Sequence, residues 1–303
     1  MRAIQTFGLT KRYGSVRALT GLDLAVEAGE VFGFLGPNGA GKTTTIRLLL
    51  DLIRPTAGRA EVLGLDTRRH SLALRHRIGN LPGEFSIYPE LTGRAFLALC
   101  ASGRKDGLGR ADDLANLFGL DLHRKAGGLS TGNRQKLALI QAMMHEPEVL
   151  ILDEPTAGLD PLVRDTFYEL LLREKQRGAT VFFSSHILHE VERVCDRVGV
   201  VREGRLVAVE DVAALKRHKV RQMEIVFAVP VDAASLEDTG EGGVRVLSSA
   251  GDRVALTIPD GAAGRVLQRL SGLPVVDMVF PEATLEEAFR SLFESPAPDD
   301  ENP

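Results

Sequence analysis

Short apolar runs alternate along this chain with longer stretches in which apolar residues recur at helical spacing. The runs have the length and composition that are typical of buried parallel strands, and they lie at 31–35, 149–152, 181–183 and 198–201. The helical stretches lie between and after them, at 44–52, 161–177 and 187–197. Because strand and helix alternate, the pattern predicts an α/β fold with a mixed or parallel sheet and helices on its faces.

Other segments depart from this alternation. Residues 1–30 contain β-type runs and turns, and Gly204 opens a hairpin that leads into 206–209. Residues 85–145 are mostly helical, with helices predicted at 91–100, 111–118 and 131–145. After Leu215 a polar junction is followed by strands predicted at 222–229, 244–247, 254–258 and 275–280, and by helices predicted at 262–270 and 285–293. This second pattern predicts a small α+β domain at 216–294, and the proline-rich, acidic tail at 295–303 is expected to be disordered.

Composition narrows the class of protein. A chain of 303 residues can hold two domains, and its two cysteines, Cys100 and Cys195, are expected to be buried thiols rather than a disulfide framework. No apolar run approaches the ~18 residues of a membrane span, and the first residues lack the apolar stretch of a signal peptide. We therefore expect a cytoplasmic protein.

A net charge of −4 without a dense basic tract argues against a nucleic-acid partner, and the basic residues at 68–77 are interpreted as a solvated helix face.

The most specific chemical signal is the P-loop pattern Gly-Pro-Asn-Gly-Ala-Gly-Lys-Thr at 36–43. Its glycines allow consecutive backbone N–H groups to point inward around phosphate oxygens, at the positive end of the following helix. Lys42 supplies a mobile cation for the β- and γ-phosphates, and the hydroxyl of Thr43 can ligate Mg²⁺. A glycine-rich turn that matches by accident is the alternative, and the flanking strand and helix argue against it.

Two carboxylates close the apolar run at 149–152. A buried parallel strand that ends in Asp153 and Glu154 delivers both to the edge of the sheet where α/β folds bind ligands. Asp153 suits the surroundings of Mg²⁺, and Glu154 suits a general base for the attacking water. Taken alone, the pair would be interpreted as a solvated strand end; beside an intact P-loop it indicates a nucleoside-triphosphate hydrolase.

Three further motifs lie in a fixed order with these two: Leu-Ser-Thr-Gly-Asn at 129–133, Ala-Gly-Leu-Asp at 157–160 and Ser-Ser-His at 184–186. With them, residues 1 to about 215 resemble the ATP-binding subunit of ATP-binding-cassette (ABC) transporters. The resemblance implies a P-loop NTPase cassette at 1–215 with an inserted helical subdomain at about 85–145. The closing Pro-Glu-Ala-Thr-Leu-Glu-Glu-Ala-Phe at 281–289 is similar to the end of subunits from drug, antibiotic or lipid exporters whose membrane subunits are separate chains.

The resemblance also implies the roles of individual residues. Walker A and the residues that bind ATP would be Gly36, Pro37, Asn38, Gly39, Ala40, Gly41, Lys42, Thr43 and Thr44. Ser130 and Gly132 would belong to the signature motif, Asp153 and Glu154 to Walker B, Asp160 to the D-loop, and His186 would sense the γ-phosphate. Tyr13 lies where the family places an aromatic that stacks on adenine, although Lys-Arg-Tyr-Gly at 11–14 also fits a simple turn.

A second feature favours two copies of the chain. Ser130 and Gly132 precede a helix, so the chain carries a second anion-binding helix N-terminus besides the P-loop. A single nucleotide would need both helix N-termini only if two subunits share it. This predicts a head-to-tail homodimer with two composite sites. Ser130 can equally be a helix cap, and the two roles are compatible. A lone histidine is usually structural, but His186 ends a strand-like run and can donate a hydrogen bond to phosphate.

The chain departs from the family pattern in two places. Thr131 and Asn133 replace Gly and Gln of the signature, with small or hydrogen-bonding character retained. Gly83 stands where the family has a Gln whose amide lies near Mg²⁺, and Glu84 follows it. Glu84 could supply the missing oxygen to the metal, with Gly83 allowing a positive φ, or it could be a solvated loop carboxylate.

The sequence therefore predicts an ATPase that uses ATP and Mg²⁺, lies on the inner face of the cell membrane and powers export through a separate permease subunit. A cassette ATPase that remodels ribosomes or DNA is one alternative, although such proteins usually carry two cassettes or a long coiled coil. A non-hydrolysing ATP-binding regulator is another, and Glu154 argues against it because such proteins tend to lack a base.

Overall fold

The structure is a computed structural model that describes residues 1–103, 107–217, 221–238, 243–259 and 261–280. The chain divides into two compact units, Met1–Val212 and Ala213 onward, and each is described by itself.

The first unit contains eleven strands among its described residues. They are β1 (Arg2–Tyr13), β2 (Val16–Leu22), β3 (Ala25–Glu27), β4 (Val31–Leu35), β5 (Ala57–Val62), β6 (Leu65–Asp66), β7 (Ile78–Leu81), β8 (Val149–Asp153), β9 (Thr180–Ser185), β10 (Arg197–Arg202) and β11 (Arg205–Asp211). The helices are α1 (Lys42–Leu49), α2 (Ser71–Arg77), α3 (Gly93–Cys100), α4 (Ala111–Phe118), α5 (Thr131–Met143), α6 (Pro161–Gln176) and α7 (Leu188–Val194), with α8 (Val212–Arg217) at the junction.

The strands form two sheets. The central one has the order β11-β10-β4-β9-β8-β7. All its neighbouring pairs are parallel except β10–β11, which is an antiparallel hairpin. The other sheet is antiparallel, with the order β2-β1-β5-β6 and with β3 paired to β1. The predicted mixed α/β fold is confirmed.

The central strands are buried on both faces, and this explains their unbroken apolar runs. Along β8, Leu150 and Leu152 pack into a core with α3 to α6, whereas Val149 and Ile151 pack into a second core with α1 and the antiparallel sheet. Alternate side chains point to opposite faces of a strand, so a strand covered on both sides has no polar face. The carboxyl ends of β4, β7, β8 and β9 meet at one edge, where open α/β sheets bind ligands.

Several element boundaries differ from the sequence predictions. Helix α1 covers Lys42–Leu49 rather than 44–52, because Gly41 with φ 106° forms its N-cap and Asp51 with φ 54° lies beyond its end. Helix α7 ends at Val194 rather than at 197, because Cys195 is extended and Arg197 opens β10. Helix α3 begins at Gly93, two residues later than predicted. Both cysteines are half-buried rather than fully buried.

The second unit contains an antiparallel sheet of β12 (Arg221–Phe227), β13 (Arg245–Ala250), β14 (Arg253–Ile258) and β15 (Val275–Val279), with helix α9 at Ala263–Leu270. In its described part the order is β13-β14-β12-β15, and apolar residues of the sheet form one core with Val266 and Leu270 of α9. The strands and helix predicted up to residue 280 are confirmed apart from shifts at their ends. The predicted helix at 285–293 and the tail from 295 lie outside the described residues.

Candidate functional site

The P-loop connects β4 to α1 and depends on its glycines. Gly39 and Gly41 have φ of 82° and 106°, in the left-handed region that favours glycine. A β-carbon on Gly36 would lie 2.3 Å from the carbonyl oxygen of Val201, and one on Gly41 would lie 2.8 Å from that of Ala18. The loop is therefore closely packed between β10 and β2, with no room for side chains at these two positions.

Lys42 opens α1, and its ammonium group is hydrogen-bonded within the P-loop. Its side chain is only 5% exposed. Its Nζ donates hydrogen bonds to the carbonyl oxygens of Gly36 at 2.7 Å and Pro37 at 3.1 Å. Both acceptors are neutral, so the ammonium charge at the loop is not cancelled by them. Thr43 beside it is exposed and Thr44 is half-buried.

Asp153 is the last residue of β8 and is almost fully buried, at 2% exposure. Its Oδ1 accepts a hydrogen bond from the Ser184 hydroxyl at 2.5 Å. Its Oδ2 is buried and accepts no hydrogen bond from the described residues. A buried carboxylate oxygen without a donor is costly unless another group compensates its charge, so Oδ2 suits a cation or a water bound to one.

Glu154 follows in a strained conformation. Its φ of 47° is left-handed, which costs a residue with a β-carbon about 1–2 kcal/mol. Its backbone N–H donates to Ser184 Oγ at 3.1 Å, so one serine anchors both carboxylate residues. Strain of this kind persists only where surrounding contacts impose it, and it concentrates at functional sites.

His186 lies beside Glu154 because β8 and β9 are neighbours. Asp153 pairs with Ser184 across the two strands, so the residues just beyond both strand ends are adjacent. Glu154 Oε1 lies 3.3 Å from His186 Nδ1 and 3.6 Å from Lys42 Nζ. The structure therefore brings together three of the residues that the sequence singled out, from the segments that follow three neighbouring strands, β4, β9 and β8.

Ser130, Gly132 and Asp160 lie in a second group. The Ser130 hydroxyl caps α5 by accepting the N–H of Asn133 at 3.3 Å. A β-carbon on Gly132 would lie 2.9 Å from the carbonyl oxygen of Gly158, so the start of α5 abuts the loop that follows Glu154. Asp160 caps α6 by accepting the N–H of Val163 at 3.0 Å.

Tyr13 ends β1 and is 45% exposed. The Nζ of Lys11 lies 4.8 Å from the centre of its ring. Strand β2, which pairs with β1, also supplies the carbonyl of Ala18 that touches Gly41 of the P-loop. The β1–β2 hairpin is therefore a neighbour of the P-loop.

The explanation proposed above for Gly83 is wrong. Gly83 does not adopt a positive φ. Its β-carbon would instead lie 2.9 Å from Oδ2 of Asp153, so the reason for glycine is a close approach to that carboxylate. Glu84 is exposed, one residue from this contact.

Two clefts lie near the edge. One of about 230 Å³ is lined by Glu154, Gly158, Arg164, His186 and Glu190, among others. A larger one of about 460 Å³ has mostly apolar walls from α1, α2, α3 and the residues after β7. Pro82 and Phe85, which flank Gly83 and Glu84, line the larger cleft.

Four hydroxyl residues and one glutamate support the site without standing out in the sequence. Ser184 and Ser185 belong to the Ser-Ser-His motif, whereas Thr156, Tyr168 and Glu190 lie in no motif that the sequence analysis uses. All five are buried and are linked to one another or to Asp153 by hydrogen bonds. Serine and threonine are too common for sequence alone to mark them, and a glutamate in a short helix ordinarily indicates a solvated face.

The residues fit ATP and magnesium. Backbone N–H groups of the P-loop and Lys42 suit phosphate oxygens, and the free Oδ2 of Asp153 with the exposed Thr43 suits a hard cation. No three His, Cys, Asp or Glu side chains cluster as a metal site in the part of the chain that the structure describes. Among the same residues, no helix is long and apolar enough to cross a membrane.

The chain is similar to several known proteins. The family model described as ABC transporter matches residues 19–157. The bacitracin transport ATP-binding protein BcrA of Bacillus licheniformis is 34% identical over 306 aligned residues, which cover 95% of this chain and 96% of BcrA. The Nod factor export ATP-binding protein I of Burkholderia orbicola is 34% identical, over 93% of this chain and 94% of its own length. The solved dimeric structure of a bacterial ABC transporter cassette superposes with a TM-score of 0.64 at 23% identity, over 69% of this chain and 98% of that one.

Proposed function

We propose that this chain, which belongs to the ATP-binding subunits of ABC transporters and is an ABC ATPase, powers export of a small molecule, drug or lipid. The observation that carries the proposal is the convergence of Lys42, Glu154 and His186, with distances of 3.3 and 3.6 Å to one carboxylate oxygen. The relatives named above, which are described as serving bacitracin transport and Nod factor export, support a role in export.

In this proposal Glu154 is the general base. Its carboxylate accepts the proton of the attacking water. The neighbouring imidazole of His186 donates a hydrogen bond to the γ-phosphate. Lys42, already fixed by two carbonyls, offers its remaining N–H to the β- and γ-phosphates. Thr43 and Asp153 would hold Mg²⁺ directly or through water, and Glu84 is a further candidate. When bound, Mg²⁺ neutralises part of the phosphate charge.

The chain would work as a head-to-tail pair. The start of α5, with the cap Ser130 and the small residue Gly132, offers a second helix N-terminus for phosphate. Two-fold symmetry would place this N-terminus of one copy opposite the P-loop of the other. The solved cassette noted above is described as dimeric, which supports self-association. Asp160 would lie at the same interface, and Tyr13 would stack on adenine.

A separate membrane permease would be the partner, with the chain peripheral on the cytoplasmic face. The larger apolar cleft supports this, because its wall includes Pro82 and Phe85 while Gly83 between them touches Asp153. A permease segment seated in that cleft would contact the same short loop that contacts the site. Binding on one side of the loop and catalysis on the other would then be coupled.

The proposed base is tested by Glu154→Gln, which keeps size and hydrogen bonding but cannot accept the proton. We expect ATP turnover to fall by about 10²–10⁴-fold, the usual contribution of a general base, while ATP binding persists and the dimer becomes long-lived. Steady-state phosphate release, ATP binding and sedimentation measure the three properties. Turnover near the wild-type rate would remove Glu154 from the role.

The composite site is tested by mixing two variants. Lys42→Ala damages the P-loop, and Ser130→Asp keeps the α5 cap while adding a negative charge where the partner's γ-phosphate would lie. Gly132 is less suitable, because any side chain there meets Gly158. A mixed dimer then contains one doubly damaged and one intact site, so the mixture should be more active than either parent. Ser130→Asn, a neutral cap, is the control, and a mixture no more active than its parents would contradict shared sites.

A further inference from the structure

A buried carboxylate lies behind the edge of the central sheet that carries Lys42, Glu154 and His186, called the catalytic edge below. Glu190 is on α7 and is only 2% exposed, and it lines the cleft that also contains Glu154 and His186. Burying a carboxylate is costly unless its oxygens accept hydrogen bonds or meet a counter-charge. The described residues donate three hydrogen bonds to it, and all three donors are hydroxyl groups.

The three donors come from three different elements. Thr156, in the loop after Glu154, donates to Oε1 at 2.5 Å. Tyr168 of α6 donates to the same oxygen at 3.2 Å. Ser185, the last residue of β9, donates to Oε2 at 2.6 Å. The Ser185 hydroxyl oxygen in turn accepts the backbone N–H of Ile187 at 2.9 Å.

This arrangement ties down both sides of the catalytic pair. Ser185 and Ile187 flank His186 in sequence, so their mutual hydrogen bond fixes the backbone that presents the imidazole. Thr156 lies two residues after Glu154, and the N–H of Ala157 donates to the Glu154 carbonyl at 3.1 Å. A single carboxylate is therefore bonded to the segment that carries each partner of the 3.3 Å contact between Glu154 and His186.

A carboxylate can accept from all three hydroxyl groups at once. It is an acceptor at both oxygens, with about four lone-pair positions. A glutamine would place its N–H₂ group opposite one of these hydroxyls, which would lose its bond to residue 190 and have to donate elsewhere, as Ser185 could to the Ile187 carbonyl at 3.3 Å. Burial first, and the Glu190 charge after it, raise the pKa of the Tyr168 phenol above its ordinary value of 10, so the phenol stays protonated and remains a donor.

We propose that Glu190 is a positioning residue for ATP hydrolysis, which holds Glu154 and His186 at their mutual distance through Thr156 and Ser185. The inference rests on the proposed function, in which those two residues act on the water and the γ-phosphate. The competing explanation is that Glu190 only joins α6 to α7 and contributes to folding.

Glu174 provides a matched control for that explanation. It is also a buried glutamate, 1% exposed, and it forms ion pairs with Arg110 and Arg177 away from the catalytic edge. Glu174→Gln should lower the thermal unfolding temperature, because it leaves two cations without their partner charge. It should leave kcat unchanged when ATPase activity is measured well below that temperature.

The kinetic experiment uses the full-length chain. We expect Glu190→Gln to lower kcat at least tenfold, equivalent to about 1.4 kcal/mol, while KM for ATP changes less than about threefold, because Glu190 lies outside the P-loop. Thr156→Val removes one hydroxyl at constant shape and should lower kcat in the same way. Thr156→Ser restores the hydroxyl and should recover most of the loss.

A spectroscopic measurement reports on His186 without turnover. In protein labelled with ¹⁵N-histidine, the ring signals of His186 are assigned by their loss in His186→Ala. Glu190→Gln and Thr156→Val should displace these signals, Thr156→Ser should return them, and Glu174→Gln should leave them in place. If Glu190→Gln does not fold, Thr156→Val carries the test.

The outcomes separate the two proposals. Wild-type kcat with unmoved His186 signals in both Glu190→Gln and Thr156→Val would overturn the positioning role. The positioning role would also be overturned if Glu174→Gln changed kcat and the His186 signals as much as Glu190→Gln does. General destabilisation of the protein would then explain both variants. If Glu154→Gln kept its turnover, the base assignment would fail, while the His186 signals would still decide whether Glu190 positions that ring.

Discussion

Removing the Ser184 hydroxyl should damage both the stability of the protein and its catalytic edge. Ser184 is fully buried; its hydroxyl donates to Asp153 Oδ1 at 2.5 Å and its oxygen accepts the Glu154 N–H at 3.1 Å. A hydrogen bond to a charged group contributes about 1.5–3 kcal/mol, and an N–H left without an acceptor costs about 1 kcal/mol or more. We therefore expect Ser184→Ala to lower the free energy of unfolding by about 3 kcal/mol.

Ser184→Ala should also lower kcat, by at least about tenfold. Without the anchor, Asp153 is free to rotate and the strained φ of Glu154 loses a contact that maintains it. The Mg²⁺-dependent ATPase assay measures this loss, and urea denaturation followed by circular dichroism measures stability, with separate transitions fitted for the two units.

A matched control is Ser271→Ala in the second unit. Its exposed hydroxyl donates to the Gln268 carbonyl at 2.7 Å, so its removal should change stability by less than about 0.5 kcal/mol. A Ser184→Ala protein that matched Ser271→Ala in stability and retained wild-type kcat would refute the reasoning, because the two hydrogen bonds would then contribute nothing.

Two further predictions concern charges near the edge and on the surface. If Glu84 supplies an oxygen to Mg²⁺, Glu84→Ala should lower Mg²⁺-dependent ATPase activity at least tenfold, about 1.4 kcal/mol, without changing the unfolding temperature; unchanged activity, alone and with the membrane partner, would indicate a solvated carboxylate. Bidentate hydrogen bonds from Arg77, at 2.6 and 2.7 Å, hold the pKa of Glu148 below its ordinary value of 4.5. A lowered carboxylate pKa gives stability that is present above pH 4.5 and is lost as pH falls through the folded pKa. The stability difference between wild type and Arg77→Gln should therefore shrink on acidification in pH-dependent urea titrations.

The sequence predicts the central sheet well because covered strands leave a strong pattern. The apolar runs at 31–35 and 149–152 correspond to β4 and to all but the last residue of β8. Burial on both faces excludes polar residues from such strands, so the pattern and the structure have one physical cause. The ends of the helices were predicted less well. Helix α1 starts where Gly41 permits a left-handed turn, which apolar spacing does not encode.

The candidate site divides in the same way. Glu154 and His186 could be found from sequence because each follows a strand-like run, and neighbouring strands bring their ends together. The supports of these residues could not be found, since Ser185 and Glu190 become partners only after β9 and α7 have packed. The reason for Gly83 was also hidden, because its contact with Asp153 is between residues 70 positions apart.

The supports matter because Glu154 occupies a conformation that the isolated chain would avoid. A left-handed residue with a β-carbon costs about 1–2 kcal/mol, which is comparable to one or two net hydrogen bonds. The bond from its N–H to Ser184 and the bond from Ala157 to its carbonyl oppose this cost directly. Glu190 accepts a hydrogen bond from Thr156, which lies between Glu154 and Ala157 in the chain. Glu154 is thus held by hydrogen bonds at both its N–H and its carbonyl. We expect the loss of either bond to favour a relaxed backbone in which the carboxylate no longer faces His186.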